Sequence, residues 1–262
     1  MKKYRLAKNK IHHEKNLNKI RSIGNIGPVP DCVDVDHSYY KKYINASGIP
    51  VVAASIVSDN ALYQAKYIID IMLSKLPDAT ISLVKRLSAF LIIPANQGIT
   101  TLPEYKGLDI LFPDSAPWDD RVQGLGWTTD IPYSSCSEAN LIYLGYPADR
   151  YNESICIHEF GHTIFDAGLA YTDYQAEHGY LTYLYDNAIA SGYLHDTYAA
   201  SNQSEYWAES LQCWFNSTQP YNDPAYSNTG LKLLDPDMWN YINERFVNPD
   251  VIEPPLWVYY DY

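Results

Sequence analysis

Between residues 49 and 93 the apolar positions set out a strand, two helices and a second strand. Ile49–Val57 is a dense apolar run and reads as a buried strand or extended segment. From Asp59, which could cap it, the spacing changes to threes and fours. Leu62, Ala65, Ile69, Met72 and Leu76 then share one face, which predicts a helix over about 60–76, ended by Pro77. A shorter helix is expected over about 79–87, and Ser88–Ile93 is the clearest β run. Pro103–Asn140 is rich in Pro, Asp, Gly and Ser and reads as long loops, in which Asp119, Asp120 and Arg121 could be surface charge only. The helical spacing returns in Ile155, Ile157, Phe160, Ile164 and Phe165, with Asn152 or Ser154 as N-cap and Gly168 as terminator. Further helices are expected over Tyr174–Ser191, ended by Gly192, over Tyr206–Phe215 and over Asp237–Phe246, and Pro254–Tyr260 as an extended arm. Helices around a small mixed sheet make this an α+β pattern.

The helix at 155–165 carries chemistry. Its residues 157–162 read Ile-His-Glu-Phe-Gly-His, the pattern His-Glu-x-x-His. Positions four apart on a helix stack about 5–6 Å from each other. His158 and His162 can therefore hold one metal ion from the same face, with Glu159 beside the ion as general base for a metal-bound water. A catalytic zinc takes three protein ligands and keeps one position open. The third ligand cannot be the histidine of the longer motif, which needs a glycine at 165 and a histidine at 168, where this chain has Phe165 and Gly168. Glu205 and Glu209, four apart in an otherwise apolar helix, are the better source. Two carboxylates there are costly unless a positive charge meets them. One would ligate the ion and the other would hold a ligating histidine in place.

These residues resemble the active-site strip of the lethal-factor-like zinc metallopeptidases, relatives of the protease domain of anthrax lethal factor. In that family the same Ile-His-Glu-Phe-Gly-His helix is followed by a Tyr seven residues before a Glu-aromatic-aromatic-Ala-Glu strip. Here these are Tyr198 and Glu205-Tyr206-Trp207-Ala208-Glu209. The resemblance implies His158, His162 and Glu205 as zinc ligands and Glu159 as base. It also implies Tyr198 as oxyanion donor, Glu209 as a support for the ligands, and a zincin-like fold. The stretch Glu205–Phe215, with Ser137–Leu141 upstream, is closer still to uncharacterised secreted members of that superfamily. The likeness is specific over about 155–215, looser from 49 to 150, and fades before residue 31.

The expected activity is zinc-dependent endopeptidase cleavage of a peptide or protein substrate. A non-catalytic zinc-containing binding or toxin-like protein and a zinc hydrolase of non-peptide substrates are the alternatives. In zinc peptidases an edge strand beside the metal helix pairs with extended substrate, and Ser88–Ile93 is a candidate for it, a central buried strand being the other reading.

Composition adds bounds. The 262 residues suffice for one sizeable domain, expected over 31–262. Residues 1–30 read as a basic, flexible N-terminal extension. Its first 21 residues hold eight Lys and Arg against Glu14, so they carry +7 of a net −12 and leave −19 on the rest. An acidic body argues against nucleic acid, and would either favour basic peptides or simply reflect a soluble secreted surface. The 25 tyrosines suit half-buried walls and peptide clefts. No apolar stretch is long enough to span a membrane. Cys32, Cys136, Cys156 and Cys213 form an even set without Cys-x-x-Cys spacing. Two disulfides are expected, for which Cys156–Cys213 with Cys32–Cys136 is one of three connectivities. With four Asn-x-Ser/Thr sequons, at Asn45, Asn152, Asn202 and Asn216, this leans towards a secreted protein, although no signal peptide is visible.

Overall fold

The computed structural model describes residues 24–115, 117–142, 153–218, 224–253 and 256. The expectations for residues 1–23, for Asn152 and for nearly all of the C-terminal arm lie outside these residues. The fold is α+β, with helices around a mixed five-stranded sheet.

Five strands, β1 (Tyr40–Ala46), β2 (Ile49–Ala54), β3 (Ala89–Ile93), β4 (Gly124–Leu125) and β5 (Tyr133–Ser137), are ordered β1-β2-β3-β5-β4. The β2–β3 and β3–β5 pairs are parallel, and the outer pairs β1–β2 and β4–β5 are antiparallel. Both faces of the centre are covered. Val51, Ala53, Phe90 and Ile92 enter the main core, while Val52, Leu91 and Ile93 pack with Val33, Ile99, Leu102 and Tyr105 on the other side. Strands covered on both faces lose the alternation of a half-exposed strand, which is why β2 and β3 read as apolar runs.

Ser88–Ile93 is thus central, not an edge. The edge beside the metal helix is β4, inside a stretch expected to be loop. Its two residues give no periodic signal, and β5, Tyr-Ser-Ser-Cys-Ser, has few of the residues that mark a strand. The region 24–30 also differs from a free linker, because Gly27 exchanges both backbone hydrogen bonds with Tyr43.

The major helices are α1 (Asp59–Leu73), α2 (Asp78–Leu87), α3 (Ile155–Ile164), α4 (Tyr174–Ser191), α5 (Gln203–Trp214), α6 (Asn228–Leu234) and α7 (Pro236–Arg245). Ser58, rather than Asp59, caps α1. Gly192, at φ 80°, ends α4 as expected. Gly168 does not end the metal helix. The chain continues past it through a widened π turn, Phe165–Leu169, and one more helical turn, Ala170–Thr172. A Cβ at Gly168 would lie 2.8 Å from Val84 Cγ2 and 2.9 Å from Thr80 Cγ2. This glycine lets α2 approach, a packing role that resembles a stop signal in one dimension.

The four cysteines are not joined in disulfides, contrary to the expected bridges. Cys136 on β5 lies against Cys156 on α3, both fully buried, and burial raises the Cys136 thiol pKa. Among the described residues no helix is long and apolar enough to cross a membrane.

Candidate metal centre

The site lies where α3 crosses α5. Ser154 caps α3 by accepting from Ile157 N–H, and Asn140 anchors the same turn, accepting from Ile155 N–H and donating to the Glu153 carbonyl. Asn202 caps α5 by accepting from the N–H groups of Ser204 and Glu205. Glu205 therefore sits in the first turn of α5, where the positive end of the helix dipole favours a carboxylate. The helices touch along Gly161 and Leu211, and the Trp207 indole donates to the Gly161 carbonyl at 2.9 Å.

This crossing brings together the three expected ligands. His158 Nε2 lies 2.9 Å from Glu205 Oε2 and 3.2 Å from His162 Nε2, and His162 Nε2 lies 3.6 Å from the same carboxylate oxygen. Among the described residues this is the one cluster of its kind, with ligand atoms all within 4.8 Å. A tetrahedral ion with ligands about 2.0–2.1 Å away needs donor atoms roughly 3.3 Å apart, so this donor set fits such an ion.

The supports of the ligands sharpen that fit. The Gln212 side-chain N–H groups donate to Glu153 Oε2 at 3.1 Å and to the Ser154 carbonyl at 3.1 Å. With its nitrogen so used, Gln212 presents Oε1 to His158 Nδ1, 2.8 Å away. An acceptor there requires Nδ1 to carry the proton and turns Nε2 towards the cluster. Ser204 Oγ meets His162 Nδ1 at 2.9 Å. Glu209, expected to support a ligand, has Oε1 3.4 Å from His158 Nδ1 while Thr218 donates to its Oε2. Gln212 is the nearer partner of that imidazole. The Glu209 Oε1 atom is buried and makes no hydrogen bond, an acceptor whose cost a nearby cation would offset.

The electrostatics follow from burial and proximity. Burial alone would raise the Glu205 pKa, but the two imidazoles bonded to it hold it well below the usual carboxylate range. For His158 burial lowers the pKa, and the carboxylates of Glu205 and Glu209 more than reverse that. Glu159 is raised, mainly by burial, with His158 and His162 opposing.

Glu159 and Tyr198 face the same cleft, a cavity of about 520 Å³ that His158, Glu209 and the β4 segment Val122–Gly124 also line. Tyr198 opens a short 3-10 turn just before α5. Its ring centroid is 6.2 Å from that of His158, and it is half exposed. Burial and the Glu205 charge both raise the phenol pKa, so it stays a hydrogen-bond donor at neutral pH.

Sequence reasoning missed Gln212, Ser204 and the glycines Gly124 and Gly126 at β4 and just after it. The first two flank the Glu strip on α5: Gln212, three residues after Glu209, carried a one-turn spacing signal, and Ser204, next to Glu205, carried none. A Cβ at Gly124 would lie 2.8 Å from Glu159 Cγ, and one at Gly126 would lie 2.7 Å from His162 Cβ. The two glycines let the edge strand lie on the metal helix. Compared with the models of protein families and with curated proteins, the chain matches none.

Proposed function

We propose that this chain is a zinc-dependent metalloendopeptidase. The observation that carries this reading is the convergence of His158 Nε2, His162 Nε2 and Glu205 Oε2 beside a half-buried Glu159 in an open cleft. The three would hold one zinc ion. Two imidazoles with a carboxylate are a ligand set of zinc peptidases, and the likeness to the lethal-factor-like metallopeptidases over about 155–215 supports a zincin-like fold and this chemistry. When bound, zinc supplies Lewis acidity and lowers the pKa of water from 15.7 towards about 7.

The chain's own residues do the rest. The Glu159 carboxylate takes the proton of the attacking water and passes it to the leaving amine, and its raised pKa suits it to hold that proton between the two events. The Tyr198 hydroxyl donates to the oxyanion of the substrate carbonyl. Gln212 and Ser204 fix the imidazole orientations. The segment Val122–Gly124, which leads into the edge strand β4, lines the cleft and offers backbone groups to an extended peptide. A secreted location is the companion proposal. It rests on the sequons, since the expected disulfides are not formed.

Metal analysis of purified protein, followed by incubation with a mixed peptide library and mass spectrometry, tests the reading. One zinc per chain with peptide cleavage is the expected result. Stoichiometric zinc without cleavage of any peptide would leave a zinc protein of another kind.

A further inference from the structure

On the far side of the Ser201–Ser204 turn from the metal cleft lies a second cavity, of about 470 Å³. Ser201 lines both cavities, and Ser204, in the wall of the second, is the hydroxyl on His162. The second cavity is thus within one side chain of the proposed metal ligands.

One wall is apolar, formed by Phe165, Leu181 and the Tyr185 ring, and the other is polar, formed by Ser201, Asn202, Gln203 and Ser204. Phe165 and Leu181 are buried, and Tyr185 is held with its hydroxyl on the Ala200 carbonyl at 2.7 Å. His178 stands with its ring 5.1 Å from that of Phe165. Into this space the π turn of the metal helix projects one charged group, Asp166. Single π turns inside α-helices are often found at functional sites, because they shift one residue out of the regular register. The Asp166 carboxylate is half-buried and has no hydrogen bond or ion pair among the described residues. His162 and His178 act on it only at longer range, and burial raises its pKa. A partly buried carboxylate without a partner, beside an apolar wall, fits a cation with an apolar stem: the stem lies along Phe165 and Leu181 and the head meets the charge.

We propose that this cavity is a subsite for a lysine or arginine side chain of the substrate, with Asp166 as its specificity-determining residue. The inference rests on the metallopeptidase reading for its place in a reaction, but not for its chemistry. The net charge of −19 outside the first 21 residues adds long-range attraction for such a substrate.

Two measurements on the full-length chain test it. The first needs no catalysis. N-acetyl-lysine methylamide and its uncharged norleucine analogue are titrated into the wild type and Asp166→Asn, with the ring resonances of Phe165 and His178 as readout. The lysine compound should shift them in the wild type at least tenfold more tightly than the norleucine compound, and Asp166→Asn should abolish that difference. Equal binding of the two compounds, or a preference that survives in Asp166→Asn, overturns the proposal whether or not the protein cleaves peptides. The second measurement is the cleavage profile. Products should carry Lys or Arg at one fixed distance from the scissile bond. Asp166→Asn should lower kcat/KM about 10–100-fold for a lysine peptide, mainly through KM, and less than threefold for its norleucine counterpart, with metal content unchanged. An equal fall for both peptides would make Asp166 a structural residue. Absence of all cleavage would remove the peptidase reading and leave the binding result to stand alone.

Discussion

Helices α3 and α5 meet at one site but contribute to it differently. α3 presents: His158, Glu159 and His162 project from a helix whose other faces are in the core, with Phe160, Gly161 and Ile164 fully buried or nearly so. α5 presents one proposed ligand and braces the other two. Glu205 enters the cluster from its first turn, Ser204 holds His162, and Gln212, two turns on, holds His158. A helix that only presents can be recognised by a short motif, since its functional spacing is one helical turn. A bracing helix must match the positions of side chains on another element, so its residues follow no motif as short as that one.

This contrast yields predictions of decreasing size. The largest effect belongs to the presenting helix. Glu159→Gln should lower peptide cleavage by up to about 10⁴-fold while metal content stays stoichiometric, because shape is kept and the base is lost. Metal analysis beside a peptide assay checks both halves, and retained cleavage would remove Glu159 as base. Tyr198→Phe, in the turn that leads into α5, should lower kcat and kcat/KM together by about 10²–10³-fold with KM little changed. A normal kcat would make Tyr198 a wall residue and leave the metal cluster untouched.

The braces should act on metal affinity. Gln212→Met removes the acceptor on His158 Nδ1 at similar volume and should weaken zinc binding about 10–100-fold in a competition titration with a chelator. Ser204→Ala should do the same for His162 at the lower end of that range. Unchanged affinity in both would break the division between presenting and bracing helices. ¹⁵N spectra of the metal-free protein give a separate readout, since His158 should lose its Nδ1–H preference in Gln212→Met and keep it in Ser204→Ala. The smallest effect is on stability. Asn202→Ala removes the cap of α5 and should cost about 1 kcal/mol in urea unfolding, with the metal-free wild type as reference.

The cysteines give a test of a different kind. Unfolding without reductant, then alkylation and intact mass, should show four modified thiols. Modification of none would restore the two bridges expected from the even count.

Much of this molecule is determined locally, by spacings that a single chain can display. His158, Glu159 and His162 lie within five residues, so the helix alone sets their relative positions, and the periodicity of Ile157, Phe160 and Ile164 declares that helix. Glu205 and Glu209 were legible as two carboxylates one turn apart on an apolar helix. The cores of β2 and β3 announced themselves as apolar runs, and Gly192 ended α4 where its positive φ requires a glycine. What the tertiary structure decided depends on who lies next to whom. Two residues at β4 become the edge of the cleft only because β5 pairs with them and α3 lies beneath. Gly124 and Gly126 matter because other elements occupy the space of their missing Cβ atoms: Ser135, Ile155 and Glu159 at the first, His162 at the second. Gly168 looked like a helix end and is a contact with α2. Cys156 meets Cys136 where α3 packs on β5. Gln212 is a polar residue on an apolar helix until His158 arrives opposite it, because a hydrogen bond between distant segments exists only after both have been packed.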